Sequence, residues 1–184
     1  MISLVVCSLH AQNVTFGAKA GLNFVSLSGD DAEDIDGRTS LHLGATAEFS
    51  LSETFSIQPE LLYSGQGFTA NESDVDITGK MDYINLPIMA KFYAAEGLSL
   101  EIGPQIGFLL SAKAEGKSEG NSVSIDFKDE SKSVDFGANF GIGYKLDSGI
   151  NFGFRYNLGL ISVSEEDSED LKSNVLQLSV GYNF

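Results

Sequence analysis

Hydrophobic and polar residues alternate along most of this chain. Over Asn174 to Phe184, residues Leu176, Leu178, Val180, Tyr182 and Phe184 share one face, while Val175, Gln177, Ser179, Gly181 and Asn183 share the other. Period-two alternation marks a strand with one apolar face. A final strand of this kind, ending on an aromatic, fits a bacterial outer-membrane barrel. There the last strand closes against the first, and the terminal aromatic sits in the interfacial girdle.

The same pattern recurs upstream. Val14, Phe16, Ala18, Ala20, Leu22 and Phe24 alternate with Thr15, Gly17, Lys19, Gly21 and Asn23, and Leu41 to Leu51 alternate likewise. Further strands are predicted near 55–68, 80–94, 98–113, 132–146 and 150–163, which makes eight with the terminal one. Each matches or exceeds the roughly 9–11 tilted residues a strand needs to cross a bilayer. Tight turns at Ser52-Glu53-Thr54, Ala95-Glu96-Gly97 and Asp147-Ser148-Gly149 alternate with long polar segments near 28–38, 69–79, 114–131 and 164–173. Short turns on one rim and long loops on the other are the habit of outer-membrane barrels, the short ones being periplasmic. The expected fold is all-β, an eight-stranded antiparallel up-and-down transmembrane β-barrel spanning 13–184 as one domain.

Alternation alone does not say which face points inward, and a soluble lipocalin-like barrel with a hydrophobic ligand has its apolar face inside. The polar face here carries Gly17, Gly21, Gly44, Gly103, Gly107, Gly141, Gly143, Gly153 and Gly181 among other glycines. Glycine weakens an exposed strand, whereas inside a narrow barrel it makes room beside long charged side chains. The other face is Leu, Ile and Phe with almost no charge, as lipid contact requires. The apolar face is therefore read as outward. The inward face then holds Lys19, Glu48, Glu60, Lys91, Glu101, Asp135, Lys145 and Arg155, expected to form an ion-pair network that fills the lumen. An eight-stranded barrel is about wide enough for side chains to fill, so a continuous water channel is not expected. Pro59, Pro87 and Pro104 fall inside predicted strands and should each cost a ladder hydrogen bond.

Composition hides the membrane reading from a helix-oriented scan. Mean hydropathy is only +0.02, because half of each strand faces away from lipid. With no Trp, the aromatic girdles must be built from 13 Phe and 6 Tyr. Phe16, Phe49, Phe55, Phe92, Tyr144, Tyr182 and Phe184 cluster toward the short-turn rim, and Phe24, Tyr63, Phe108 and Phe136 toward the other. Residues 1–12 read as the end of a secretory signal peptide, an apolar stretch followed by a cleavage site after Ala11 or Gln12. The single cysteine, Cys7, lies within it, so a cleaved chain holds no disulfide.

Net charge is −15, and the four long polar segments carry −4, −3, −3 and −4 of it. The acidity thus belongs to one rim, the expected extracellular one. Nucleic acid is a poor partner for such a surface, which has no basic patch to displace counterions from phosphates. Solvation explains acidic loops. Divalent-cation binding by Asp30, Asp31, Asp34 and Asp36, or by Glu165, Glu166, Asp167 and Asp170, is the sharper alternative, and neither cluster has EF-hand spacing.

Three stretches, G-A-K-A-G-L-N-F at 17–24, S-I-Q-P-E-L-L-Y-S at 56–64 and I-N-L-P-I-M-A-K-F-Y at 84–93, resemble the PorT-like outer-membrane β-barrel proteins of Bacteroidota. The likeness runs from about Val14 to Phe184. It implies an eight-stranded barrel in the outer membrane and little about activity, since fold does not fix function.

Catalysis finds little support in the sequence. Past the signal segment only His42 remains as a histidine, and a Ser40, His42 and Glu48 grouping has nothing to fix its geometry. His42 is read instead as a rim residue bonded to a loop. The Gly137-to-Gly143 run has the wrong spacing for a nucleotide loop and no helix after it. The expectation is a non-enzymatic outer-membrane barrel with no cofactor. Its partners are outer-membrane lipid, the barrel-assembly machinery through the C-terminal strand, and a protein partner at the loops. The alternatives are a component of a secretion or envelope-assembly system and the soluble lipocalin-like barrel.

Overall fold

The computed structural model describes residues 14–28, 36–72, 75–118, 121–128, 131–161 and 172–184. The expected signal segment, Asp30, Asp31 and Asp34, and the acidic cluster at 165–170 lie outside the described residues. Ten strands follow one another: β1 Val14–Ser28, β2 Asp36–Gly37, β3 Thr39–Ser50, β4 Phe55–Glu72, β5 Val75–Ala95, β6 Leu98–Ser118, β7 Asn121–Asp126, β8 Val134–Lys145, β9 Ile150–Gly159 and β10 Lys172–Asn183. Eight of them close a ring. Neighbours in the ring are antiparallel throughout, in the order β1, β3, β4, β5, β6, β8, β9 and β10, and β1 closes it by pairing with both β3 and β10. The seam pairs Gly17 with Asn183 and runs in register to Ser28 with Lys172. Closure leaves no edge within the bilayer, the condition a sheet must meet to lie in hydrocarbon.

The apolar face is the outer one. Leu22, Leu43, Ile88, Ile102, Ile142, Phe154, Leu178 and Val180 are all exposed, while Asn23, His42, Glu48, Arg155 and Gln177, at alternate positions of the same strands, are buried. A lumen lined by charge and amides cannot hold a hydrophobic ligand, so the lipocalin-like alternative falls. Aromatics ring the short-turn end: Phe55 packs on Phe92 at 4.8 Å between centroids, and Tyr182 meets Phe184 edge-on at 5.5 Å. At the other boundary Tyr63 Oη donates to Asp82 Oδ1 at 2.8 Å on the outer surface. Gly97 and Gly149 take φ of 75° and 89° in the tight turns, a backbone that other residues resist.

Two of the long polar segments are not loops. β4 and β5 stay paired out to Glu72 with Val75, and β6 continues to Ser118, where it turns back as β7. About ten residues suffice to cross the bilayer, so the distal parts of β4, β5 and β6 stand above it, with β7 alongside. The ladder persists there because backbone groups still need partners. The apolar alternation fades over these residues, so the strands leave no period-two signal in the sequence. A bulge accompanies the change: Tyr83 pairs with Leu109 and Asp82 with Ser111, leaving Leu110 as the extra residue. The prolines behave differently. Pairing skips Glu60–Leu61 against Leu86–Pro87, and Ile88–Met89 against Gly103–Pro104, with no change of register on either side.

Candidate functional site

The polar interior is assembled one strand at a time, because every second residue of each strand enters the lumen. Toward the short-turn end, six charged side chains form a chain of alternating sign. Lys19 Nζ lies 2.7 Å from Glu60 Oε2. Arg155 Nη1 and Nη2 donate to Glu60 Oε2 and Oε1 at 2.9 and 3.0 Å, and Nη2 also reaches Glu101 Oε2 at 2.9 Å. Lys91 Nζ stands 3.5 Å from Glu101 Oε1 and 3.6 Å from Glu48 Oε2. The sequence of contacts is Lys19, Glu60, Arg155, Glu101, Lys91, Glu48: three cations and three anions. An unbalanced charge in this setting would carry a desolvation cost of several kcal/mol, and the pairing cancels it. Glu60, at the centre, has a side chain with no exposure at all.

Neutral donors complete the carboxylates. Ser56 Oγ donates to Glu48 Oε1 at 2.8 Å, and the Tyr93 hydroxyl donates to the same oxygen. Gln58 bridges the halves, taking a hydrogen bond from Lys91 Nζ at 3.1 Å and giving one to Glu60 Oε1 at 2.7 Å. The charged members were all visible in the sequence on the inward face. Ser56, Gln58 and Tyr93 occupy the same face, and attention to charge alone passed over them.

Above this layer sits a neutral one. Asn23 Nδ2 donates to Ser64 Oγ at 2.9 Å and to the Gly65 carbonyl at 2.8 Å, while its Oδ1 meets His42 Nδ1 at 2.8 Å and accepts from Gln177 Nε2 at 3.1 Å. Asn157, Asn139 and Gln105 form a second amide relay across β9, β8 and β6. Higher still, Met81, Tyr83, Leu109 and Ala112 make an apolar cluster covered by Phe127, which follows β7. Polar chain, amide layer and apolar cluster succeed one another along the bore. At the short-turn mouth a vestibule of about 710 Å³ opens, bordered by Glu48, Tyr93, Lys145 and Asn183.

Two of the eight inward charges stand apart. Asp135 is buried near the distal rim opposite Gly107, and Lys145 lies at the mouth; neither makes an ion pair among the described residues. His42 is not bonded to a loop: inward alternation buries it against Asn23, with its other ring nitrogen unpartnered. Ser40 instead donates to the Gly65 carbonyl and Glu48 is held by Ser56 and Tyr93, so no Ser–His–Glu grouping forms. Asp36 is exposed on β2, where it pairs with Thr69. Among the described residues no group of three or more His, Cys, Asp or Glu side chains could hold a metal ion.

A family model described as "Outer membrane protein beta-barrel domain" matches residues 10–165. No curated protein matches the sequence. Among solved structures, Ail, the attachment invasion locus protein of Yersinia pestis, superposes with a TM-score of 0.54 at 18% identity, over 92% of this chain and 98% of that one. Ail in complex with the heparin analogue sucrose octasulfate gives 0.51 at 18% identity, over 93% and 99%. Neisserial surface protein A gives 0.56 at 14% identity, over 92% and 97%. At these identities the likeness is one of fold.

Proposed function

This chain belongs to the outer membrane protein beta-barrel domain family, and from that premise we propose that it is a non-enzymatic surface protein whose barrel is a closed anchor. It resides in the cell outer membrane. Its working part is what the barrel holds outside: the distal sheet of β4 to β7 and the acidic segments around it. The observation that carries this reading is the filled bore. A porin keeps its lumen open and polar, whereas here alternating ion pairs, an amide layer and an apolar cluster succeed one another along the axis. The six buried charges thus serve stability and closure.

The partner is a protein, engaged by an acidic surface. Ail is described in complex with a highly sulfated ligand; the segments of this chain that carry −14 of its −15 charge would repel such a polyanion. Cation binding by Asp30, Asp31, Asp34 and Asp36 is retained only as a minor contribution to those segments. Its motifs at 17–24, 56–64 and 84–93 resemble those of the PorT-like proteins, and its terminal strand, ending on Phe184, is what the barrel-assembly machinery would engage.

Reconstitution into planar lipid bilayers tests the closed anchor. No stepwise conductance is expected, and regular single-channel steps would overturn the reading. Digestion of intact cells with a Glu-specific protease tests the orientation. Cleavage in the segments around Glu33 and Glu165 is expected, with Glu48, Glu60 and Glu101 protected. Protection of every site in intact cells would refute an outward-facing role.

A further inference from the structure

Between the ion-pair chain and the short-turn mouth lies a small internal cavity of about 30 Å³. Space of that size holds one or two waters, or a single monatomic ion. Four cations border it, Lys19, Lys91, Lys145 and Arg155, against one carboxylate, Glu101. The remaining wall is rich in hydroxyls and amides, including Thr46, Ser99, Asn151 and Ser179.

The cavity is built by the sequence. Ser99 pairs with Gly143, Gly143 with Gly153, and Gly153 with Ser179, so four neighbouring strands set a minimal side chain at one height. A Cβ on Gly143 would lie 2.5 Å from Glu101 Oε1 and 2.6 Å from Ser99 Oγ, and one on Gly153 would lie 2.7 Å from Ser179 Oγ. Any larger residue would close the space.

Charge decides what fills it. The three carboxylates of the network, Glu48, Glu60 and Glu101, balance Lys19, Lys91 and Arg155 one for one. Lys145 is the fourth cation on the same wall and makes no ion pair or side-chain hydrogen bond among the described residues. Glu48 borders the vestibule that Lys145 also faces, and Glu48 is already engaged by Lys91, Ser56 and Tyr93. Glu53 and Asp147, the other acidic side chains of the vestibule, sit in exposed turns and make no ion pair with Lys145. One positive charge is therefore left over beside a cavity lined by donors. We propose that this cavity is a binding site for a small inorganic anion of the halide class, held between Lys145 and the Lys91–Arg155 side of the network.

The full chain, folded in detergent micelles, supplies the test. Its thermal conversion from the folded to the unfolded gel band is measured in sodium chloride and in sodium gluconate at equal ionic strength, since gluconate is too large to enter. Chloride should raise the midpoint by about 2–5 °C, the size expected when an ion binds only the folded state at several times its dissociation constant. Lys145→Met, which keeps the aliphatic stem, should abolish the chloride increment while leaving the midpoint in gluconate nearly unchanged. Crystals of the unaltered protein grown in bromide provide a readout that needs no variant: an anomalous peak is expected inside the cavity. Equal midpoints in the two salts, an increment that survives Lys145→Met, or bromide absent from the cavity would each overturn the proposal and leave water as the occupant.

Discussion

Arg155 on β9 and Glu60 on β4 meet across the lumen in a two-point ion pair, at 2.9 and 3.0 Å, although 95 residues separate them in the chain. The guanidinium fork matches the carboxylate, leaving one more N–H bond for Glu101. Because Lys19 also rests on Glu60, this single carboxylate neutralises parts of two cations. Glu60→Ala should therefore cost about 3–5 kcal/mol, the range for breaking a buried pair by removing one partner. Removing the end pair together, Lys19→Met with Glu60→Leu, leaves Arg155, Glu101, Lys91 and Glu48 in balance and should cost less than Glu60→Ala alone. Urea titration of the barrel in lipid vesicles measures both, and a double variant worse than the single one would contradict the account.

The glycines of the inner face make a second, steric prediction. Gly143→Val would place a Cβ 2.5 Å from Glu101 Oε1, displacing the carboxylate that Arg155 and Lys91 share. The variant should fold poorly or lose several degrees of thermal midpoint. Ala45→Val, on the exposed outer face of β3, lacks that neighbour, so the comparison isolates the lumen.

How much of this was legible in the sequence depends on what each feature required. The register of β10 could be read because Leu176 to Phe184 alternate without a break, and the outward face followed from Gly143 and Gly153 lying opposite the large apolar residues. The eight inward charges could be named, since strand parity fixes the face. Which of them touch could not. Arg155 reaches Glu60 rather than Asp135 because of the stagger among eight tilted strands, a quantity no local pattern carries. The sheet above the bilayer was missed for another reason: around Thr69 to Thr78 both faces are polar, so the ladder leaves no trace in hydrophobicity. Tyr93 was passed over because it follows Phe92, and two successive aromatics do not announce that one faces lipid and the next Glu48.

Lipid exposure predicts a depth profile. Leu178 is outward and sits mid-strand, cross-paired with Leu22 and Phe154. Leu178→Arg should destabilise by about 2–4 kcal/mol, whereas Tyr182→Arg near the short-turn rim should cost about 0–1 kcal/mol beyond the lost Phe184 contact. Folding titrations into vesicles give both values. Equal costs at the two depths would mean that the strand does not cross the bilayer where the aromatic rings place it.

The distal hairpin should be separable from the barrel. Ala70 to Ile77 lie above the Tyr63–Asp82 pair that marks the outer boundary, and their ladder joins only β4 to β5 and β5 to β6. Replacing residues 70–77 by a two-residue Asn-Gly turn, which suits a tight hairpin, removes none of the buried charge chain, the amide layer or the apolar cluster. The barrel should still insert, keep its heat-modifiable gel shift and remain silent in planar bilayers, while any binding by whole cells that depends on the distal sheet is lost. A variant that no longer folds would show that the sheet is part of the barrel's stability rather than a surface mounted on it, because strand pairing above the membrane would then be needed to hold the staggered ring closed below.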